Sequence, residues 1–306
     1  MNSTEIEVPA ALDGERLDRV VAMVTGVSRA VAASLVDGGS VEVDGNVERS
    51  VKLRVSDGSR VRIVLPAADV AGVQPDPTVV VHVVYEDTDV VVVDKPPGLV
   101  VHPGAGNPTG TLVNGLLARF PEIADVGDPA RPGIVHRLDK GTSGLLVVAR
   151  SAAAYGVLVD QLAHRSVERR YTTLVWGRPE PSTGVIDAPV GRSARDPTRM
   201  TVSSRGRDAR THYHVERAYR SPALVTLLDC RLETGRTHQV RVHLAAIHHP
   251  VVGDSRYGGK REPIAAPRPL LHARALSFAH PVSGARVEVE SALPEDFRAV
   301  LASLKD

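Results

Sequence analysis

The chain has 306 residues, 42% of them hydrophobic and 24% charged, with a formal net charge of +1. This composition belongs to a folded globular chain rather than a disordered one, and the length suits one large domain or a small one joined to a large one. A single cysteine, Cys230, excludes an internal disulfide and a cysteine-based zinc cluster, and no apolar run approaches the ~18 residues of a membrane span.

The start, MNSTEIEVPAALDGERLD, has neither the basic region nor the apolar core of a signal peptide, so a cytoplasmic protein is expected. Near-neutrality hides an asymmetry. Residues 1–73 carry 8 Lys and Arg against 11 Asp and Glu, whereas residues 131–261 carry 22 against 11. Nearly all of those cations are arginine, which favours bidentate phosphate contacts, although some serve only to solvate a surface.

Residues 14–65 read as a small α/β module. Asp13 is expected to cap a helix from Glu15 to about Val24, and Ser28 a second from Arg29 to Val36, ended by Gly38-Gly39. SVEVDGNVERS alternates around Asp44-Gly45-Asn46, a hairpin signal, and VKLRVSDGSRVRIVLP gives a further strand, turn and strand. Residues 66–78, PAADVAGVQPDPT, form the expected linker.

From Val79 two strand-like runs follow, VVVHVVY and DVVVVDKPPGLVVHPG. Both are apolar enough to be buried on both faces. Pro96 and Pro97 cannot donate to a ladder, so the second run ends in a bulge or at an edge. His102 taken alone is a polar residue at a strand end. GAGNPTG is a poor phosphate loop, because the dinucleotide glycine spacing fails and no Gly-Lys-Ser/Thr follows. Thr111 instead starts a helix, TLVNGLLARF, that Pro121 ends.

HRLDKGTSGLLVVAR, residues 136–150, sets Asp139 between Arg137 and Lys140. A tight Gly-Thr-Ser-Gly turn follows, and then a short branched run, Leu145 to Ala149, that reads as a buried strand. Spacing alone suits a rigidly held reactive carboxylate and an ordinary ion pair at a strand entrance equally. Ser151 is placed to cap a helix to about Leu162, and RSVERRYTTLVW alternates into a strand carrying Tyr171.

Residues 191–210 hold Arg192, Arg195, Arg199, Arg205, Arg207 and Arg210 with few apolar residues. They are expected in an exposed loop or hairpin that neutralises the phosphates of a polyanion. His212 and His214 lack the further ligands a zinc site needs. In LETGRTHQVRVHLAAIHHPVVGDSRYGG a turn at Thr234-Gly235 precedes a helix from Thr237 to Ala246, with Val240, Leu244 and Ile247 on one face. His238 and His243 are five apart, which does not suit a shared metal. PLLHARALSFAHPVSG gives a strand and turn, and LPEDFRAVLASL a closing amphipathic helix.

HRLDKGTSGLLVVAR resembles the catalytic motif of the RluA/RluD-type family of RNA pseudouridine synthases, in which the aspartate is essential. KPPGLVVHPG resembles that family's first motif and TGRTHQVRVHL its third, so the likeness extends along most of the chain. It implies that Asp139 is catalytic, that Arg236, the arginine after Gly, pairs with it, and that Tyr171 packs against the target base. It further implies that Leu270 or Leu271 walls the base pocket and that Arg137 fills the gap left by a flipped base. The order RLDRVVA, SRAVAASLVDGGSVEVDG and VSDGSRVRI resembles the ribosomal-protein-S-four-like RNA-binding domain, with Arg16, Arg19 and Arg29 at matching places. The net negative charge there departs from that pattern and restricts contact to a local patch.

The resemblance implies an α+β fold, a mixed, largely antiparallel sheet with flanking helices, plus a small N-terminal α/β RNA-binding domain. The expected division is 1–65, a linker at 66–78 and a catalytic domain at 79–306. The implied activity is isomerisation of uridine to pseudouridine in large-subunit ribosomal RNA, by a monomer without cofactor or metal. Transfer RNA as substrate, and a non-catalytic RNA-binding or ribosome-assembly role, are the alternatives. A glycosidase would use a pair of acids, and the motif offers one.

Overall fold

The computed structural model describes residues 2–25, 27, 29–65, 73–104, 106–196 and 198–306. They divide into two compact units, Met1–Gly72 and Val73–Asp306.

The first unit contains β1 (Asn2–Glu7), α1 (Leu17–Thr25), α2 (Arg29–Asp37), β2 (Val41–Val43), β3 (Asn46–Val47) and β4 (Arg60–Leu65). Its strands run in the order β1-β4-β2-β3, each pair antiparallel. Leu17, Val20 and Val21 recur at helical spacing and pack with Ala32, Val36, Val41, Val61 and Ile63 into one core. Asp44 and Gly45 both take left-handed angles, φ 52° and 82°, as a two-residue hairpin turn requires. Three expectations change. Strand β1 was not foreseen. Val51–Leu53 is no strand, and Arg54 makes just an isolated bridge to Arg16. Asp13 does not cap α1, because its Oδ1 accepts the Asp57 N–H at 3.0 Å. The expected Ser28 cap and linker residues 66–72 lie outside the described residues.

The second unit begins with β5 (Val83–Glu86), β6 (Val90–Lys95), α3 (Leu112–Arg119), β7 (Ser143–Ala149) and α4 (Ala152–Ala163). It continues through β8 (Glu168–Trp176), β9 (Thr183–Asp187), β10 (Val190–Arg192), β11 (Met200–Val202), β12 (Arg210–Tyr219) and β13 (Val225–Leu232). The chain closes with α5 (Gln239–Ala246), β14 (Leu271–Ala279), β15 (Arg286–Glu290) and α6 (Glu295–Ala302). The main sheet runs β5-β6-β7-β14-β8-β13-β12-β9, with β15 also on β14. Its β7–β14 pairing is parallel and its other pairings are antiparallel. This is the mixed, largely antiparallel sheet of an α+β protein.

The core lies on both faces of that sheet. Val91, Val93, Leu146 and Val148 face one cluster, and Val90, Val92, Leu145 and Val147 face another. The period of two places alternate side chains on opposite faces, so a continuous apolar run is what a central strand requires. The run VVVHVVY was expected to be buried in the same way, but β5 covers its end alone and alternates between half-buried and exposed. It is the sheet edge, with one neighbour. Residues 73–78 are no free linker, since Asn114 of α3 accepts the Asp76 N–H at 2.9 Å and donates to the Gln74 carbonyl at 2.7 Å. Strands β10 and β11 form a separate hairpin, which carries Arg192, Arg195 and Arg199 of the expected arginine cluster. Among the described residues, no helix is long and apolar enough to cross a membrane.

Candidate active site

Asp139 sits in the turn that feeds β7, the buried strand between β6 and β14. The Thr142 N–H closes this turn onto the Asp139 carbonyl at 3.0 Å. Lys140 presents its carbonyl to the Gly98 N–H at 2.8 Å and to the Lys95 ammonium at 3.4 Å. Lys95 is fully buried and also donates to the carbonyls of Pro96 and Leu99, each at 2.9 Å. Burial pulls its pKa down to about 7, against the opposing pull of the Asp139 charge. The Lys95-Pro96-Pro97-Gly98 turn is thus bonded to the Asp139 turn. Gly144 follows with φ 107°, and a Cβ there would lie 2.2 Å from the Ala273 carbonyl oxygen. Only glycine lets β7 approach β14 this closely.

Asp139 pairs with Arg241 rather than with Arg236. Arg241 Nη1 donates to Asp139 Oδ2 at 3.0 Å. Its other edge grips Asp254, with Nε to Oδ2 at 2.7 Å and Nη2 to Oδ1 at 3.0 Å. Burial lowers the Arg241 pKa, but the two carboxylates outweigh it and hold the guanidinium above its ordinary value. Arg236 lies on the turn before α5, where Gln239 Oε1 accepts its backbone N–H at 2.9 Å. Its Nε donates to the Asp208 carbonyl at 3.0 Å, which carries the side chain away from Asp139. Arg241 stands three residues after His238, whose Nε2 lies 3.9 Å from Asp139 Oδ1. That spacing puts both on one face of the helix entrance.

Asp139 opens into a cavity of about 570 Å³, which Tyr171, Leu271, Val240, Ile134 and Leu138 also line. Burial pushes the Tyr171 phenol up from its usual pKa, which keeps it neutral. Leu271 belongs to this wall and Leu270 does not. Leu270 is wholly buried with Trp176 and Phe297 in a different cluster, as neighbours on extended backbone point opposite ways. Among the described residues, six arginines line the cavity: Arg131, Arg137, Arg165, Arg169, Arg207 and Arg236. Arg137 is exposed. Arg131, Arg165 and Arg169 were given no role from sequence, although two of them stand in RSVERRY beside Tyr171. Arg192, Arg195, Arg199 and Arg205 are exposed on the β10–β11 hairpin and its flanks rather than in the cavity wall. Arg210 sits on β12, bonded to Asp187 and Glu233.

In the first unit Arg16 makes two bonds of 3.0 Å to the buried Asp18, and Arg29 adds a third at 3.1 Å. Arg19 pairs with Glu15 at 2.8 Å. Two guanidiniums on one carboxylate leave a single surplus charge, which limits the phosphate-binding capacity of this patch.

The histidines of the third motif do not gather around a common point. His243 shares its Nδ1 with Thr211 and its Nε2 with the Ala188 carbonyl, each at 2.9 Å. Among the described residues, Asp87, Asp89 and His280 bring ligand-type atoms within 4.8 Å of one another. Asp87 there already accepts from Tyr85, His280 and the Asp89 and Val90 N–H groups.

Comparison with known proteins bears directly on this geometry. The model of the RNA pseudouridylate synthase family matches residues 89–246, a span that includes the Asp139 turn, Tyr171 and Arg241. The chain belongs to the RNA pseudouridine synthase family. It is 41% identical over 306 residues to an uncharacterized RNA pseudouridine synthase, YlyB, of Bacillus subtilis, covering 100% of this chain and 99% of that one. It is 44% identical to the ribosomal large subunit pseudouridine synthase D of Xanthomonas campestris over 313 aligned positions, 98% of this chain and 92% of the other. Human RNA pseudouridylate synthase domain containing 1 superposes with a TM-score of 0.58 at 30% identity, covering 76% of this chain and 91% of that structure. The synthase is therefore an isomerase that acts on RNA.

Proposed function

We propose that this synthase isomerises a uridine of large-subunit ribosomal RNA, with Asp139 as the catalytic carboxylate. One observation carries the choice of acid. Among the described residues, two carboxylates line the cavity, Asp139 and Glu233. Glu233 is committed to His212, Arg165 and Arg210. Asp139 lines the cavity and is held through Oδ2 by Arg241, which leaves Oδ1 without an arginine partner. The substrate class is supported by relatives named ribosomal large subunit pseudouridine synthase D.

In this reading the uridine leaves its stack, a step that costs a few kcal/mol and is offset by contacts in the pocket. Tyr171 and Leu271 offer apolar walls to the uracil, and stacking on an aromatic face contributes ~1–3 kcal/mol. Arg137 takes the space vacated in the RNA. The N1–C1′ bond breaks while the pocket retains the uracil, which turns and rejoins C1′ through C5. The C5 proton is lost and N1 gains one, so the reaction is redox-neutral. Arg241 fixes the Asp139 carboxylate so that Oδ1 meets the nucleotide without reorganisation. The cavity and hairpin arginines bind phosphates, and the first unit adds a small RNA contact through Arg16, Arg19 and Arg29.

Tritium release from RNA labelled at uridine C5 tests the reading. Large-subunit ribosomal RNA, naked or in assembled subunits, should release label with wild type and not with Asp139→Asn. Release from transfer RNA alone would overturn the substrate assignment.

A further inference from the structure

Tyr257 stands outside the cavity wall yet touches His238, Arg241 and Asp254, three groups around the Asp139 carboxylate. Its hydroxyl accepts the Met200 N–H of β11 at 3.1 Å and meets His238 Nδ1 at 2.8 Å. Its ring lies under two guanidiniums, with Arg241 Cζ at 5.1 Å and Arg199 Cζ at 5.3 Å from the centroid. Its backbone N–H donates to Asp254, the second carboxylate on Arg241.

A tyrosine hydroxyl has one proton to give. With Met200 donating to the oxygen, that proton is available to His238 Nδ1 at 2.8 Å, and in a Tyr257 O–H to Nδ1 bond the nitrogen is the acceptor. Burial holds the Tyr257 phenol above its ordinary pKa and the His238 ring below its own, which favours the neutral form of each. In that arrangement the ring proton of a neutral His238 lies on Nε2, the nitrogen 3.9 Å from Asp139 Oδ1. Oδ1 is the oxygen that Arg241 leaves open. His238 is also held with φ 57°, a left-handed angle that a non-glycine residue keeps only where its surroundings impose it.

We propose that Tyr257 and His238 are positioning residues for the isomerisation: Tyr257, oriented by the Met200 N–H, fixes the His238 tautomer so that an Nε2–H donor faces Asp139 Oδ1 and the incoming nucleotide. This rests on the reading of Asp139 as the catalytic acid. Arg241 and the His238 donor then address the two carboxylate oxygens separately, and the basic hairpin is built into the same arrangement.

The test is single-turnover tritium release from large-subunit ribosomal RNA at saturating enzyme, for wild type, Tyr257→Phe, His238→Asn and the double variant. Asparagine tolerates the left-handed angle and is too short to replace the donor. Tyr257→Phe keeps the ring and both guanidinium contacts. It should slow the rate by up to about 100-fold, the scale of a misplaced catalytic group, with RNA dissociation constants within twofold. Adding it to His238→Asn should cost nothing further, since both act through one bond. In ¹⁵N spectra, His238 should show the Nε2–H tautomer in wild type and lose that preference in Tyr257→Phe. An unchanged rate in Tyr257→Phe, losses that multiply in the double variant, or a loss confined to RNA affinity would each overturn the inference while wild type and Asp139→Asn still differ. If wild type itself released no label from any RNA, the reading of Asp139 would fall, and this inference with it.

Discussion

Replacing Arg241 tests the pairing at the centre of the site. The Arg241 side chain is 9% exposed and that of Asp254 is 0%. Removing the guanidinium takes the side-chain donor from Asp139 Oδ2 and from both oxygens of Asp254. Asp254 Oδ1 keeps the backbone N–H groups of Arg256 and Tyr257, at 3.0 and 3.2 Å, and Oδ2 is left without its partner. Breaking a buried pair by removing one member costs about 3–5 kcal/mol. The two retained backbone bonds place Arg241→Met near about 3 kcal/mol, measured by urea unfolding. Adding Asp254→Asn removes the uncompensated charge and should restore part of that stability without restoring activity. Arg241→Lys keeps a charge but cannot fork between two carboxylates, so it provides a folded protein in which tritium release falls at least tenfold. Arg236→Met gives up one bond to a carbonyl and should cost under ~1 kcal/mol. Wild-type turnover in Arg241→Lys, or a larger stability loss in Arg236→Met than in Arg241→Met, would refute the assignment of Arg241 as the partner of Asp139.

Three further outcomes are expected. His136 accepts the Val147 N–H at 3.1 Å, and burial drives its pKa from 6.5 to about 3. Its contribution to stability is complete above about pH 6.5 and is lost as pH falls toward 3, because the unfolded chain binds the proton first. His136→Gln should therefore lose about 2 kcal/mol less than wild type between pH 7 and 5 in urea titrations, and parallel losses would argue against a neutral buried ring. Leu271→Ala and Leu270→Ala should each destabilise by ~2–5 kcal/mol, but at a temperature where both stay folded the first alone should slow turnover; equal activities would place Leu271 outside the pocket. Arg195→Ala combined with Arg205→Ala should flatten the salt dependence of RNA binding by about 0.7–0.9 per lost phosphate contact, and an unchanged slope would remove the hairpin from the RNA surface.

Much of the architecture was legible because its central strands are the easiest kind to read. Strands β6, β7 and β8 are dense apolar or branched runs bounded by turns. The Asp139 turn stands out by its glycines. Strand β1 was not legible, since Asn2–Glu7 has Ile6 as its one large apolar residue and its partner β4 lies more than fifty residues away. Strand β5 misled because sequence reports hydrophobicity and not position, and an edge strand can be as valine-rich as a central one. At the site, RTHQVR offers two arginines. The turn directs Arg236 to a carbonyl, and the helix carries Arg241 inward to two carboxylates. One-dimensional spacing does not separate these outcomes. Asp254, thirteen residues beyond Arg241, carried no signal until folding closed the pair. Leu270 and Leu271 differ by one step of an extended chain, and the direction of that step is set by the register of β14 against β8.

The most direct test of the account is tritium release from large-subunit ribosomal RNA labelled at uridine C5, with wild type and Asp139→Asn run side by side. The account predicts release by wild type and none by the variant, which should still bind the RNA. Undiminished release by Asp139→Asn would contradict the assignment of the catalytic carboxylate.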